Sequence, residues 1–189
     1  TTLGTLLKGT KASVIIDFPG ADGQVQTFRI WEQSVMSSEL QQRYPEIRSY
    51  AGESTDGSAA RVRFSVSPKG LQVTLSNPSL AQTNFIEKVS GTSRNYLQFS
   101  RDQKIGNTAG WLCKTEEATG KIGLDVLPTL LVEDGMLRRY RLAVAASGEY
   151  TQYHGGTVED ALAAINATVT RINEVFEREL AVRLELIAN

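Results

Sequence analysis

From Val158 to Phe176 apolar side chains recur at helical spacing: Val158, Ala161, Leu162, Ile165, Val169, Ile172, Val175 and Phe176. They make a stripe about five to six turns long. On both sides the period falls to two. RRYRLAVAA (138–146) sets Tyr140, Leu142, Val144 and Ala146 against smaller or charged residues, and VRLEL (182–186) alternates again. Strand, long amphipathic helix and strand within about 50 residues define a βαβ unit, its strands parallel and either adjacent or one apart, joined by a right-handed crossover. One such unit cannot bury both faces of its own sheet. It requires either the chain before it or more chain after it. Thr157 is placed to cap the helix, with Asp160 at N3 in a variant capping box and Glu159 in the first turn. Asn166, Arg171, Glu174, Glu177 and Arg178 fall off the stripe, and GEYTQYHGG before the helix reads as a loop.

Upstream the texture differs. KASVIIDF (11–18), the turn cluster PGADG (19–23) and QVQTFRIW (24–31) read as a β-hairpin with a somewhat long loop. VMSSELQQRYPEI predicts a short helix over Glu39 to Tyr44, capped by Ser37 or Ser38 and ended by Pro45. ESTDGSAA (53–60) is a loop. ARVRFSVSP puts Val62, Phe64 and Val66 on one face and Arg61, Arg63 and Ser65 on the other. PKG then turns the chain into LQVTLS, with Leu71, Val73 and Leu75 inward. TNFIEKV (83–89) and RNYLQFS (94–100) are further strands. The expected fold class is α+β: a half-buried antiparallel β-rich region followed by one βαβ unit. The expected boundaries are 1–113 for the β-rich region, 114–137 for a linker of acids, glycines and one proline, and 138–189 for the βαβ unit.

Composition limits the chemistry. Apolar residues are 41% and charged residues 22%, an ordinary globular balance, and the formal net charge is −1. No polycationic footprint argues for nucleic acid or an anionic membrane, and no run of 18 apolar residues spans a bilayer. TTLGTLLKGTK lacks a charged n-region and a long apolar h-region, so any signal peptide is expected to have been removed or never to have been present. Cys113 is the one cysteine and His154 the one histidine. A zinc site built from several histidines of this chain is therefore excluded.

YRLAVAASGEY, then GGT, then ALAAINATVTRINEVFERELAVRLELI resembles the opening of the catalytic domain of bacterial reprolysin-like (adamalysin-like, metzincin) zinc metallopeptidases. FRIWEQSVMSSELQQRYPEIRSYAGE and ARVRFSVSPKGLQVTL resemble the secreted propeptide of the same group. The resemblance implies a propeptide-like domain over 1–113, an activation region over 114–137, and the N-terminal βαβ part of a catalytic domain over 138–189. It also implies a secreted parent enzyme that uses zinc and cleaves peptide or protein substrates. The family's signature, HExxHxxGxxH, has three zinc-binding histidines and a general-base glutamate. It is absent from these 189 residues. The chain thus reads as a latency-keeping, folding-assisting propeptide with the first βαβ unit, expected to be inactive and free of zinc by itself. Its partner would be the rest of its own catalytic domain, with neither nucleic acid nor membrane.

Many metzincin propeptides place a cysteine thiolate on the catalytic zinc, and the resemblance implies that role for Cys113 in AGWLCKTEE. The alternative is a buried thiol packed beside Trp111 and Leu112. His154 reads as a loop residue, with Gly155 and Gly156 releasing the chain into the helix or forming an anion nest at its N-terminus. Arg61 and Arg63 read as a solvated strand face. Trp31, Tyr96 and Trp111 either line a groove or pack a core. Asn166-Ala167-Thr168 is a glycosylation sequon in mid-helix, read as silent. A second function, a secreted non-enzymatic β-rich binding or adhesion module, is compatible with the antiparallel pattern and the missing catalytic residues.

Overall fold

The computed structural model describes residues 13–20, 23–89, 94–101 and 135–188. Strands β1 (Val14–Pro19), β2 (Val25–Glu32), β3 (Arg48–Ser54), β4 (Arg61–Ser67), β5 (Gly70–Asn77), β6 (Gln82–Lys88) and β7 (Tyr96–Ser100) form one sheet. They run in strict sequence order, every neighbour antiparallel, and the sheet curls into a half-barrel. One face carries Phe18, Phe28, Ile30, Tyr50, Val62, Phe64, Val73, Leu75 and Ile86, all buried. Tyr50 stacks on Phe64 with ring centroids 4.8 Å apart, and Phe18 closes on both Phe28 and Phe64. The inward residues expected on β4 and β5 stand where their alternation put them.

β3 corrects the sequence reading, which placed no strand at RSYAGES. The segment lacks the β-branched signature because its small residues are packed from both sides. A Cβ on Gly52 would come within 2.8 Å of Arg29 O and 2.9 Å of Val62 Cγ1, and would overlap Ile30. Opposite in character, Ser49 and Ala51 lie on the second face of the sheet and are buried there.

Helix α1 (Ser38–Arg43) follows β2. Ser37 is its N-cap and accepts from Leu40 N at 3.3 Å, while Pro45 stands just beyond its end. After β7 the described chain resumes with β8 (Arg138–Leu142), α2 (Gly148–His154), α3 (Val158–Leu180) and β9 (Val182–Leu186). β8 and β9 pair directly and in parallel, as a βαβ unit requires. β8 stops at Leu142, four residues short of the expected strand.

α2 overturns the loop reading of GEYTQYHGG. Ser147 caps it by accepting from Tyr150 N at 3.2 Å, Glu149 sits in the first turn, and Gly155 at φ 134° ends it. Serine, acid and terminal glycine supply a start and a stop that outweigh the poor helix propensity of the two tyrosines between them. α3 begins as expected, with Thr157 Oγ1 accepting from Asp160 N at 3.1 Å. Ala181, in the left-handed region at φ 51°, ends it and passes directly into β9.

The two parts share a core. Val35, Met36, Leu40 and Ile47 pack with Ala163, Val169 and Leu186. The segment around Met36 also lies along the outer edge of β9: Ser37 N donates to Leu186 O at 2.7 Å, and Leu186 N to Val35 O at 2.8 Å. The preceding chain therefore covers part of what the βαβ unit cannot cover for itself.

Candidate functional site

α3 lies across the second face of the large sheet, and this interface is polar. The buried helix residues that bond across it are Asn166, Thr170 and Glu174. The stripe expected from apolar spacing is displaced: Val158 and Val175 are exposed, whereas Asn166 and Glu174, placed off the stripe, are buried. Leu162, Ile165 and Val169 do serve the small core. The helix has two buried faces, one apolar toward its own unit and one polar toward the sheet, and only the first follows hydrophobic periodicity.

The polar face is built in rungs. Asn166 Nδ2 donates to Ser49 Oγ of β3 at 2.9 Å. One turn on, Thr170 Oγ1 lies 3.0 Å from the same Ser49 Oγ and donates to Asn166 O at 2.7 Å. The next turn brings Glu174, which accepts from Arg63 Nε of β4 at 3.1 Å and from Ser76 Oγ of β5 at 2.7 Å. Glu177 then accepts from Arg63 Nη2 at 2.6 Å, from Arg183 Nε at 2.6 Å and from Gln33 Nε2 at 3.3 Å. Arg178 approaches Glu174 from the helix itself at 3.5 Å. To one side, Arg171 pairs with Glu87 of β6 and lies over the Phe85 ring, 5.1 Å from its centroid. Near the helix start, Lys69 holds Asp160 at 2.9 Å.

Arg63 thus corrects the solvated-face reading. Its side chain is only 12% exposed and bridges two helix carboxylates. Alternation on β4 located its face, but could not show that a helix from 111 residues away would cover that face. Burial, the largest single influence on Glu177, raises its pKa. The hydrogen bond from Arg183 and the charges of Arg63 and Arg183 outweigh it, and the carboxyl ends below its ordinary range. The Asp160 carboxyl is also held low, first by its hydrogen bond to Lys69.

Asn173, which sequence reasoning passed over, is fully buried. Its Nδ2 donates to Leu184 O at 2.9 Å and its Oδ1 accepts from Leu184 N at 2.8 Å, so that a side chain pins β9 to the helix as a strand neighbour would. The one available signal was an asparagine inside a long amphipathic helix, where a polar residue of low propensity needs a partner.

The other candidates are dispersed. Cys113, Trp111 and most of the 114–137 linker lie outside the described residues. His154 closes α2 between the rings of Tyr150 and Tyr153, at 4.4 and 5.0 Å. Gly155 and Gly156, at φ 134° and 89°, turn the chain toward Thr157. The helix start they lead into is already capped by Thr157 and carries the Asp160–Lys69 pair, which leaves the anion-nest reading without support. Trp31 stands on the helix-covered face of the large sheet and Tyr96 on the apolar face, so they line no common groove. Two clefts of about 310 and 460 Å³ flank residues 143–147, lined chiefly by Leu142, Val144, Leu162, Ile165, Val169 and Ile172. Neither gathers a set of acid, base and nucleophile. Among the described residues no group of three or more His, Cys, Asp or Glu could hold a metal ion. A catalytic zinc takes about three protein ligands, and the described residues bring no such set together. No described helix is long and apolar enough to cross a membrane.

The βαβ unit is thus docked by its helix onto the antiparallel sheet. Residues 137–189, this unit, match the model of the Metallo-peptidase family M12B Reprolysin-like. That relates the C-terminal segment to the metzincin and reprolysin peptidases at the level of family. No curated protein and no solved structure matches the chain.

Proposed function

We propose that the chain comprises the propeptide and the first βαβ unit of the catalytic domain of a secreted zinc metalloendopeptidase zymogen. The observation that carries this is the coincidence of the family match with the docked unit. The match covers the βαβ segment. The chain between β2 and β3 shares a core with that segment, and the large sheet holds it by a ladder of buried polar contacts. In this reading the β-rich region keeps the enzyme latent by covering its cleft and gives the opening unit a surface to pack on. The region 114–137 is the activation linker. Cys113 supplies a thiolate to a zinc whose other ligands belong to chain outside these 189 residues. The present residues themselves hold and orient α3 and β9, and perform no hydrolysis.

The test is made on the full gene product. Casein turnover is measured before and after a cut within 114–134. Turnover that emerges only after the cut supports latency. Equal turnover before and after, or a gene product lacking HExxHxxGxxH, overturns the reading. For Cys113, zinc K-edge absorption of the uncut precursor should show sulfur at about 2.3 Å, lost in Cys113→Ser. A shell of nitrogen and oxygen alone in the unmutated precursor would leave latency to occlusion.

A further inference from the structure

We infer that the polar face of the large sheet is a helix-docking surface that reads the spacing Asn166, Thr170, Glu174, Glu177, and that it holds the C-terminal unit without the covalent connection between them. The partner's identity as part of a peptidase rests on the reading above; the docking itself does not.

Positions 166, 170 and 174 are one turn apart and share a helix face, with Glu177 a further turn on. Each meets a sheet residue set to receive it: Ser49 for the first two, Arg63 and Ser76 for Glu174, Arg63 for Glu177, which Gln33 just past β2 also reaches. Ala167, also buried, adds little side-chain bulk between these rungs. A face shaped for water would not bury Ser49, Ser65 and Ser76. Because these groups are desolvated, a helix lacking any rung would leave a buried donor or acceptor unpartnered. That penalty gives discrimination as well as affinity. The backbone bonds of residues 35–37 to Leu186 form a second attachment on a different element, and so fix the orientation of the unit as well as its position. Cutting the connection then removes a tether and leaves the interface intact. Separation of the parts requires the ladder to be broken.

The experiment places a site-specific protease recognition sequence within 114–134 of the full chain, cuts it, and follows the two pieces by size-exclusion chromatography and titrated dilution. The expected result is co-migration at micromolar concentration. Arg63→Ala should weaken association by roughly 30-fold or more, as for a buried charge pair cut from one side. Ser49→Ala, a smaller change that preserves packing, should weaken it by about 5-fold. Arg43→Ala, whose partner Glu39 lies on the same short helix, should leave it unchanged. Thermal melts of the uncut variants establish that each folds. Prompt separation of the unmutated pieces overturns the inference. So does association unchanged in both Ser49→Ala and Arg63→Ala. A full precursor that proves not to be latent would remove the zymogen reading and leave co-migration untouched.

Discussion

At the scale of single residues, the helix–sheet interface contains one group whose loss should help. Thr74 Oγ1 is buried and has no hydrogen-bond partner among the described residues. Thr74→Val keeps the shape and removes a desolvated hydroxyl, so unfolding should become harder by about 1 kcal/mol. A lower urea midpoint would contradict this. Glu177 sets an acid limit. Its folded pKa lies below its ordinary value, so its contribution is complete above the unfolded carboxyl pKa, about 4.3. That contribution is lost as pH falls through the lower folded value. Urea midpoints should hold steady from pH 7 to 5 and then fall. Glu177→Gln should cost about 1–3 kcal/mol at neutral pH and flatten the acid decline. A Gln variant that parallels the unmutated chain at every pH would show that this carboxylate is not responsible.

At the scale of elements, α3 ends on a left-handed alanine. Ala181 at φ 51° carries a Cβ where glycine is at ease. Ala181→Gly should relieve that crowding and, after the added freedom of the unfolded glycine, stabilise the chain by up to about 1 kcal/mol. Thermal unfolding reads the difference, and a loss of stability would argue that the αL cap is unstrained. The same scale shows what was legible beforehand. β4 and β5 were plain because one face alternates cleanly, and α1 and α3 because Ser37 and Thr157 mark their starts. β3 was hidden by Ser49, Ala51 and Gly52, whose smallness answers to neighbours far along the chain. α2 was hidden by tyrosines and glycines that resemble a loop until Ser147 is seen to cap it. The rungs on α3 were hidden for a related reason. Asn166 and Glu174 look like solvent-facing residues in any periodicity, and their burial depends on an opposing face that happens to be polar too.

At the scale of the whole molecule, the proposed boundary makes a prediction of its own. The stretch 114–137 carries EE, KIG and EDG and keeps no hydrophobic period. Strands and helices whose backbone is bonded resist proteases, whereas polar connections are cut early. Limited digestion followed by intact-mass analysis should place the first cuts between Lys114 and Leu137. Dominant early cuts within 60–76 or 158–180 would move the boundary.

The strict sequence order of the seven strands has a kinetic consequence. Every strand pairs with the one made just before it, so the sheet is assembled from short-range contacts and should form early and quickly. The helix contacts it later across separations of more than 80 residues, from Arg171 to Glu87 up to Thr170 to Ser49. In a chain that emerges from its N-terminus, the docking face is complete before the helix that needs it has been synthesised. Substitutions on the apolar side of the sheet should therefore slow folding, while those in the rungs should chiefly speed unfolding.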